Sequence, residues 1–163
     1  MKKIITFIMV LLLGIGSSRL YAQEDKYKAL YIFNFTKYID WQDQNEIVLG
    51  VVGNSPVLLE LEVLVNRNPN IRLKKISGEE GIEECDLVFL PNAQTRNFSL
   101  IQSKISNSKI VLVAENEDLI NQGAEMAFYK EGDKLRFMLN KNAFDRAMMK
   151  VSSSLLAQAK VVE

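Results

Sequence analysis

Between residues 24 and 163 the chain alternates apolar runs with amphipathic stretches, and each change of period marks an element. From Glu24 to about Ile39, the positions of Tyr27, Leu30, Tyr31, Phe33, Phe35 and Tyr38 suit a helix that is apolar around most of its girth. Trp41, the only tryptophan, follows it directly. Ile47-Val48-Leu49-Gly50-Val51-Val52 has no polar position and reads as a strand buried on both faces. Gly53-Asn54-Ser55-Pro56 ends that strand. Ser55 is placed to cap, and Pro56 to open, a helix from Val57 to about Asn66.

Ile71 to Ile76 alternates, as a half-exposed edge strand does. Leu87 to Leu90, stopped by Pro91, and Ile110 to Val113 read as two more buried strands, separated by a helix over Phe98 to Ile105. Glu117 to Gln122 is a short helix closed by Gly123. Ala124–Tyr129 and Lys134–Leu139 flank Glu131-Gly132-Asp133 and predict an antiparallel hairpin. Asn140 or Asn142 then caps one last helix carrying Phe144, Ala147, Met148, Val151, Leu155 and Leu156. Apolar strands alternating with helices define an α/β fold. The expectation is a three-layer sandwich: a mostly parallel sheet of about five to six strands, a C-terminal antiparallel hairpin, and helices on both faces. No linker, repeat or low-complexity run divides residues 24–163, so one domain is expected.

The N-terminus has a different pattern. Lys2 and Lys3 precede an apolar stretch from Ile4 to Leu13, Gly14 to Ser18 loosen it, and Leu20-Tyr21-Ala22 ends on a small residue. These are the three regions of a secretory signal, and the stretch is shorter than the roughly 20 residues a membrane span needs. Residues 1–22 are therefore read as a cleaved signal, in preference to an uncleaved anchor, with the mature chain beginning at Gln23. No stable membrane insertion is expected after cleavage.

Composition narrows the chemistry. The whole chain carries 20 basic and 20 acidic residues; without Lys2, Lys3 and Arg19 the basic count falls to 17, a net charge of −3. That balance is not the footprint of a nucleic-acid binder. There is no histidine, hence neither the commonest general base nor the commonest metal ligand. A single cysteine, Cys85, forbids an internal disulfide and any all-cysteine metal site, and its place at the head of an apolar strand predicts burial. No catalytic residue, cofactor or metal is expected. The acidic run Glu79 to Glu84, preceded by Gly78 and interrupted by Gly81, reads as a solvated turn. Gly53, Asn54 and Ser55, between a strand and a helix, are the candidates for a ligand pocket, although a helix cap alone accounts for each of them. The first helix carries more large rings than one core face absorbs, which favours a protein partner or a homodimer.

Three stretches resemble the YfiR-like periplasmic proteins: Lys28-Ala29-Leu30-Tyr31-Ile32-Phe33-Asn34-Phe35-Thr36-Lys37-Tyr38-Ile39-Asp40-Trp41, then Cys85 to Leu90, then Leu135 to Asn140 followed by Val151 to Ala159. The resemblance spans the mature chain, residues 23–163. It implies a non-enzymatic periplasmic regulator that binds and represses a membrane signalling partner of the diguanylate cyclase or histidine kinase type. The resemblance implies that Tyr31, Asn34, Lys37, Trp41, Arg136 and Asn140 match the family's signature positions, as candidates for partner contact or for structural roles. The better-known members carry several cysteines and use disulfides for redox control, whereas this chain has only Cys85. The alternative is a small-solute-binding protein using the pocket at the C-terminal ends of the strands.

Overall fold

The computed structural model describes residues 22–163 other than 43 and 107. Residues 1–21 of the segment read as a secretory signal lie outside the described residues. The first helix, α1, covers residues 22–38. Its buried stripe is Ala29, Ile32, Phe33, Phe35 and Thr36, while Tyr27, Lys37 and Tyr38 face outward. The chain then passes through a two-residue strand β1 (Ile39–Asp40), the fully buried β2 (Ile47–Val52), α2 (Pro56–Val65) and β3 (Ile71–Ile76). β4 (Leu87–Leu90), α3 (Phe98–Ile105) and β5 (Val111–Ala114) continue the rhythm. The chain ends with β6 (Met126–Glu131), β7 (Lys134–Asn140), α4 (Lys141–Arg146), β8 (Lys150–Val151), α5 (Ser153–Gln158) and β9 (Lys160–Val162).

Seven strands form one sheet in the order β3-β2-β4-β5-β6-β7-β9, and β1 pairs with β8 in a separate antiparallel ribbon. All neighbours in the large sheet are parallel except β6 and β7, the expected hairpin. Alternate residues of the central strands feed two cores. On one face Leu49, Val51, Leu87 and Phe89 pack under α1, α2 and α5; on the other Val48, Val88, Leu90 and Leu112 pack under α3. This is the three-layer arrangement, with right-handed crossovers expected for its parallel units. Gly50 permits tight packing on the second face. A side-chain carbon there would sit 2.5 Å from Ile76 Cδ1 and 2.8 Å from Cys85 Sγ. Ser55 Oγ accepts from Val57 N at 3.3 Å with Pro56 in the first turn of α2, the cap that the Gly53–Pro56 turn predicts.

The C-terminal region departs from expectation in two ways. The single last helix is two short ones. Asn140, not Asn142, caps α4, and the helix stops where Met148 adopts a left-handed φ of 52°. Lys150–Val151 then pairs with Asp40 and Ile39, and Ser152 caps α5. A helical apolar period ran through this break because Phe144, Met149 and Leu155 all face the same core from different elements. The sheet has seven strands rather than five or six, because Lys160–Val162 adds a parallel strand beside β7. Three residues are too few to show a period of their own.

Candidate functional site

The first turns of α1 lie across the C-terminal ends of β4 and β5 and beside the β6–β7 hairpin. The link is a charged cluster around Lys28, which is only 6% exposed. Its Nζ lies 2.6 Å from Glu115 Oε1, 2.8 Å from Glu24 Oε1 and 3.8 Å from Asp25 Oδ1. Glu115 reaches in from the end of β5 and also accepts from Asn92 N at 2.7 Å, tying in the loop after β4. Glu24 in turn takes Lys130 of the hairpin at 2.6 Å. Burial alone would lower the Lys28 pKa, but hydrogen bonds to Glu115 and Glu24 outweigh it and leave the pKa raised. Burial raises Asp25, whereas in Glu24 the bonds from Lys130 and Lys28 overcome burial and lower it. Lys28 is charged at every physiological pH, and it holds three segments together.

Beside this cluster a cavity of about 830 Å³ opens between α1 and the hairpin. Its apolar surface comes from Tyr27, Tyr31 and Leu135, and its charged rim from Lys130, Lys134 and Arg136. The Tyr31 ring rests against Phe35, Phe128 and Phe137 with centroids 6.2, 6.1 and 5.4 Å away, and its hydroxyl reaches Leu135 O at 3.5 Å. Such aromatic packing fixes the ring before anything binds. A second cavity of about 440 Å³ adjoins it over the loop after β5.

Tyr31 and Arg136, singled out from sequence 105 positions apart, therefore line one cavity. The other signature candidates lie elsewhere. Asn34 is half-buried on α1, and exposed Lys37 places Nζ 4.6 Å over the Phe33 ring. Trp41 donates from Nε1 to Thr36 O at 2.8 Å, closing the end of α1. Asn140 is buried, with Oδ1 accepting from Ala143 N and Nδ2 donating to Ile120 O. Its geometry is that of a cap. Gly53, Asn54 and Ser55 line neither cavity. Gly53 has φ 71°, and the Gln94 amide packs so closely over it that a Cβ would sit 2.7 Å from Nε2.

Lys28, Glu115 and Lys130 were not among the sequence candidates. The available signal was a lysine four residues before Ile32 and seven before Phe35, on the buried stripe of an otherwise apolar helix. Cys85 is buried as expected, 3% exposed, with Sγ 3.5 Å from Gly81 O. Burial pushes its thiol up to about 11. At pH 8 the native thiol is expected to react with Ellman's reagent ~100-fold more slowly than in the urea-unfolded chain, because its thiolate fraction falls in proportion. Equal rates in the two states would show that Cys85 is accessible.

Fold and cavity together define a three-layer α/β domain with a charged, aromatic-lined cavity between α1 and the β6–β7 hairpin. The chain belongs to the YfiR/HmsC-like family, whose family model matches residues 25–160. No curated protein sequence matches it. Among solved structures it is similar to a conserved domain protein from Vibrio cholerae O1 biovar El Tor, with 11% identity and a TM-score of 0.58. The match covers 85% of this chain and 60% of that one, so the chain spans less than two thirds of that protein, and at this identity the likeness concerns the fold alone. Among the described residues no helix is long and apolar enough to cross a membrane.

Proposed function

We propose that this protein is a non-enzymatic periplasmic regulator. It binds the periplasmic part of a membrane signalling protein, of the diguanylate cyclase or histidine kinase type, and holds it inactive. The supporting observation is the family match over residues 25–160, in a family that is in general periplasmic and regulatory. The cavity in which Tyr31 and Arg136 meet is the surface we assign to the partner. Repression of this kind needs no chemistry. The regulator binds the inactive state of its partner more tightly than the active one, and the equilibrium shifts by that difference in affinity. A homodimer of the regulator is compatible with this scheme and is part of the proposal.

The test is genetic and biochemical. Deleting the gene is expected to raise cyclic-di-GMP, or the phosphorylation output of a kinase. A tagged copy of the full chain should restore repression and co-purify one membrane signalling protein. Unchanged output together with no such co-purifying protein would sink the reading.

A further inference from the structure

The two cavities share Glu24, Lys130 and Leu135, so they run together as one groove across the end of α1. Small-molecule sites are typically ~300–1,000 Å³ and largely enclosed. Here about 830 Å³ continues into a further 440 Å³. That shape suits a length of chain better than a compact solute.

The groove is also polarised. At the hairpin end, the lining basic residues Lys130, Lys134 and Arg136 outnumber the lining carboxylates Glu24 and Asp133 by one. Arg136 engages Glu131 through Nε alone, at 3.4 Å, which leaves its terminal guanidinium nitrogens to an incoming anion. At the other end lie Glu115, already held by Lys28 and Asn92, and the exposed Glu117. Between them Tyr27, 48% exposed, and the braced Tyr31 ring offer apolar surface that needs little further ordering.

We infer that the groove binds an extended segment of a partner polypeptide in a single direction. An acidic residue lies at the hairpin end, an aromatic or aliphatic side chain rests on Tyr27, Tyr31 and Leu135, and a basic residue faces Glu117. This deepens the regulatory reading and rests on it only in that both require a protein partner.

The experiment pans a random 12-residue peptide library against the purified full chain. Selected peptides are expected to share an apolar anchor with an acidic residue on one side and a basic residue on the other. Tyr27→Ala, and Lys134→Glu combined with Arg136→Glu, should each weaken them about tenfold. The charge-reversed protein should select a basic residue at the former acidic position. All three substituted residues are exposed or rim residues, and circular dichroism checks that the variants fold.

No enrichment overturns the inference, as does enrichment of peptides indifferent to these substitutions. It is equally overturned if N-acetylphenylalanine binds at the same groove as tightly as the peptides. A dimer dispersed by the same substitutions would assign the groove to a second copy instead. If peptides behave as expected but gene deletion leaves signalling unchanged, the regulatory reading fails and the groove stands; the converse result separates them the other way.

Discussion

Replacing Lys28 with methionine is expected to lower folding stability at pH 7 by about 2 kcal/mol, the cost of leaving partly buried carboxylates without their shared cation. Methionine preserves most of the volume of the side chain, so the loss reports charge rather than packing. Three carboxylates surround the ammonium, with Glu115 at 2.6 Å, Glu24 at 2.8 Å and Asp25 at 3.8 Å. Without it, burial and the neighbouring carboxylates raise the folded-state pKa of Asp25 further above that of the unfolded chain, while Glu24 keeps Lys130. Stability is then lost as pH rises through that interval, so the gap between variant and wild type should narrow at pH 4. Urea titrations at both pH values measure this. A gap below about 0.5 kcal/mol at pH 7 would mean that the cluster is solvated and contributes no more than a surface pair.

The second large effect concerns a carboxylate that lines neither cavity. Glu125 is 6% exposed and sits just before β6. β5 and β6 pair only from Val113 and Met126 onward, which leaves Leu112 N–H without a strand partner. Glu125 Oε2 accepts that N–H at 2.9 Å. Burial raises its pKa to about 7 against an ordinary 4.5, with the Leu112 hydrogen bond and Arg146 opposing the shift only in part. The folded state therefore holds a proton that the unfolded state releases between those two values. Its stabilising contribution is complete below about pH 4.5 and is lost as pH rises to 7. The total change is about 3 kcal/mol. Glu125→Gln keeps an acceptor for Leu112 N–H and cannot titrate, so this part of the slope should vanish. Identical slopes in the two proteins between pH 5 and 8 would show that Glu125 is ionised throughout.

The parallel half of the fold was legible because its strands are buried on both sides. Ile47–Val52, Leu87–Leu90 and Val111–Ala114 carry no alternation to misread, and turn residues bound them: Gly53 to Pro56, and Pro91. The hairpin was legible from Gly132-Asp133 between two apolar runs. What escaped was decided by tertiary pairing. Lys150–Val151 and Lys160–Val162 are strands only because Ile39–Asp40 and Met138–Asn140 wait beside them. Likewise, Tyr31 and Arg136 could each be picked out, but nothing local says that they share a cavity. Lys28 was hidden for a related reason. A lysine on an apolar stripe is visible in sequence, yet its partner Glu115 lies 87 positions away and follows an unremarkable strand.

The position of α1 also bears on the order in which the molecule can assemble. Its aromatic stripe rests on Phe128 and Phe137, and its lysine waits for Glu115. During synthesis, the first helix to be made is thus among the last to gain its contacts. Closing such long loops is entropically slow, and a high proportion of distant contacts delays folding. Until residue 137 has been delivered, the strands already made offer α1 only part of its seat, and the aromatic half of its packing, on Phe128 and Phe137, must wait.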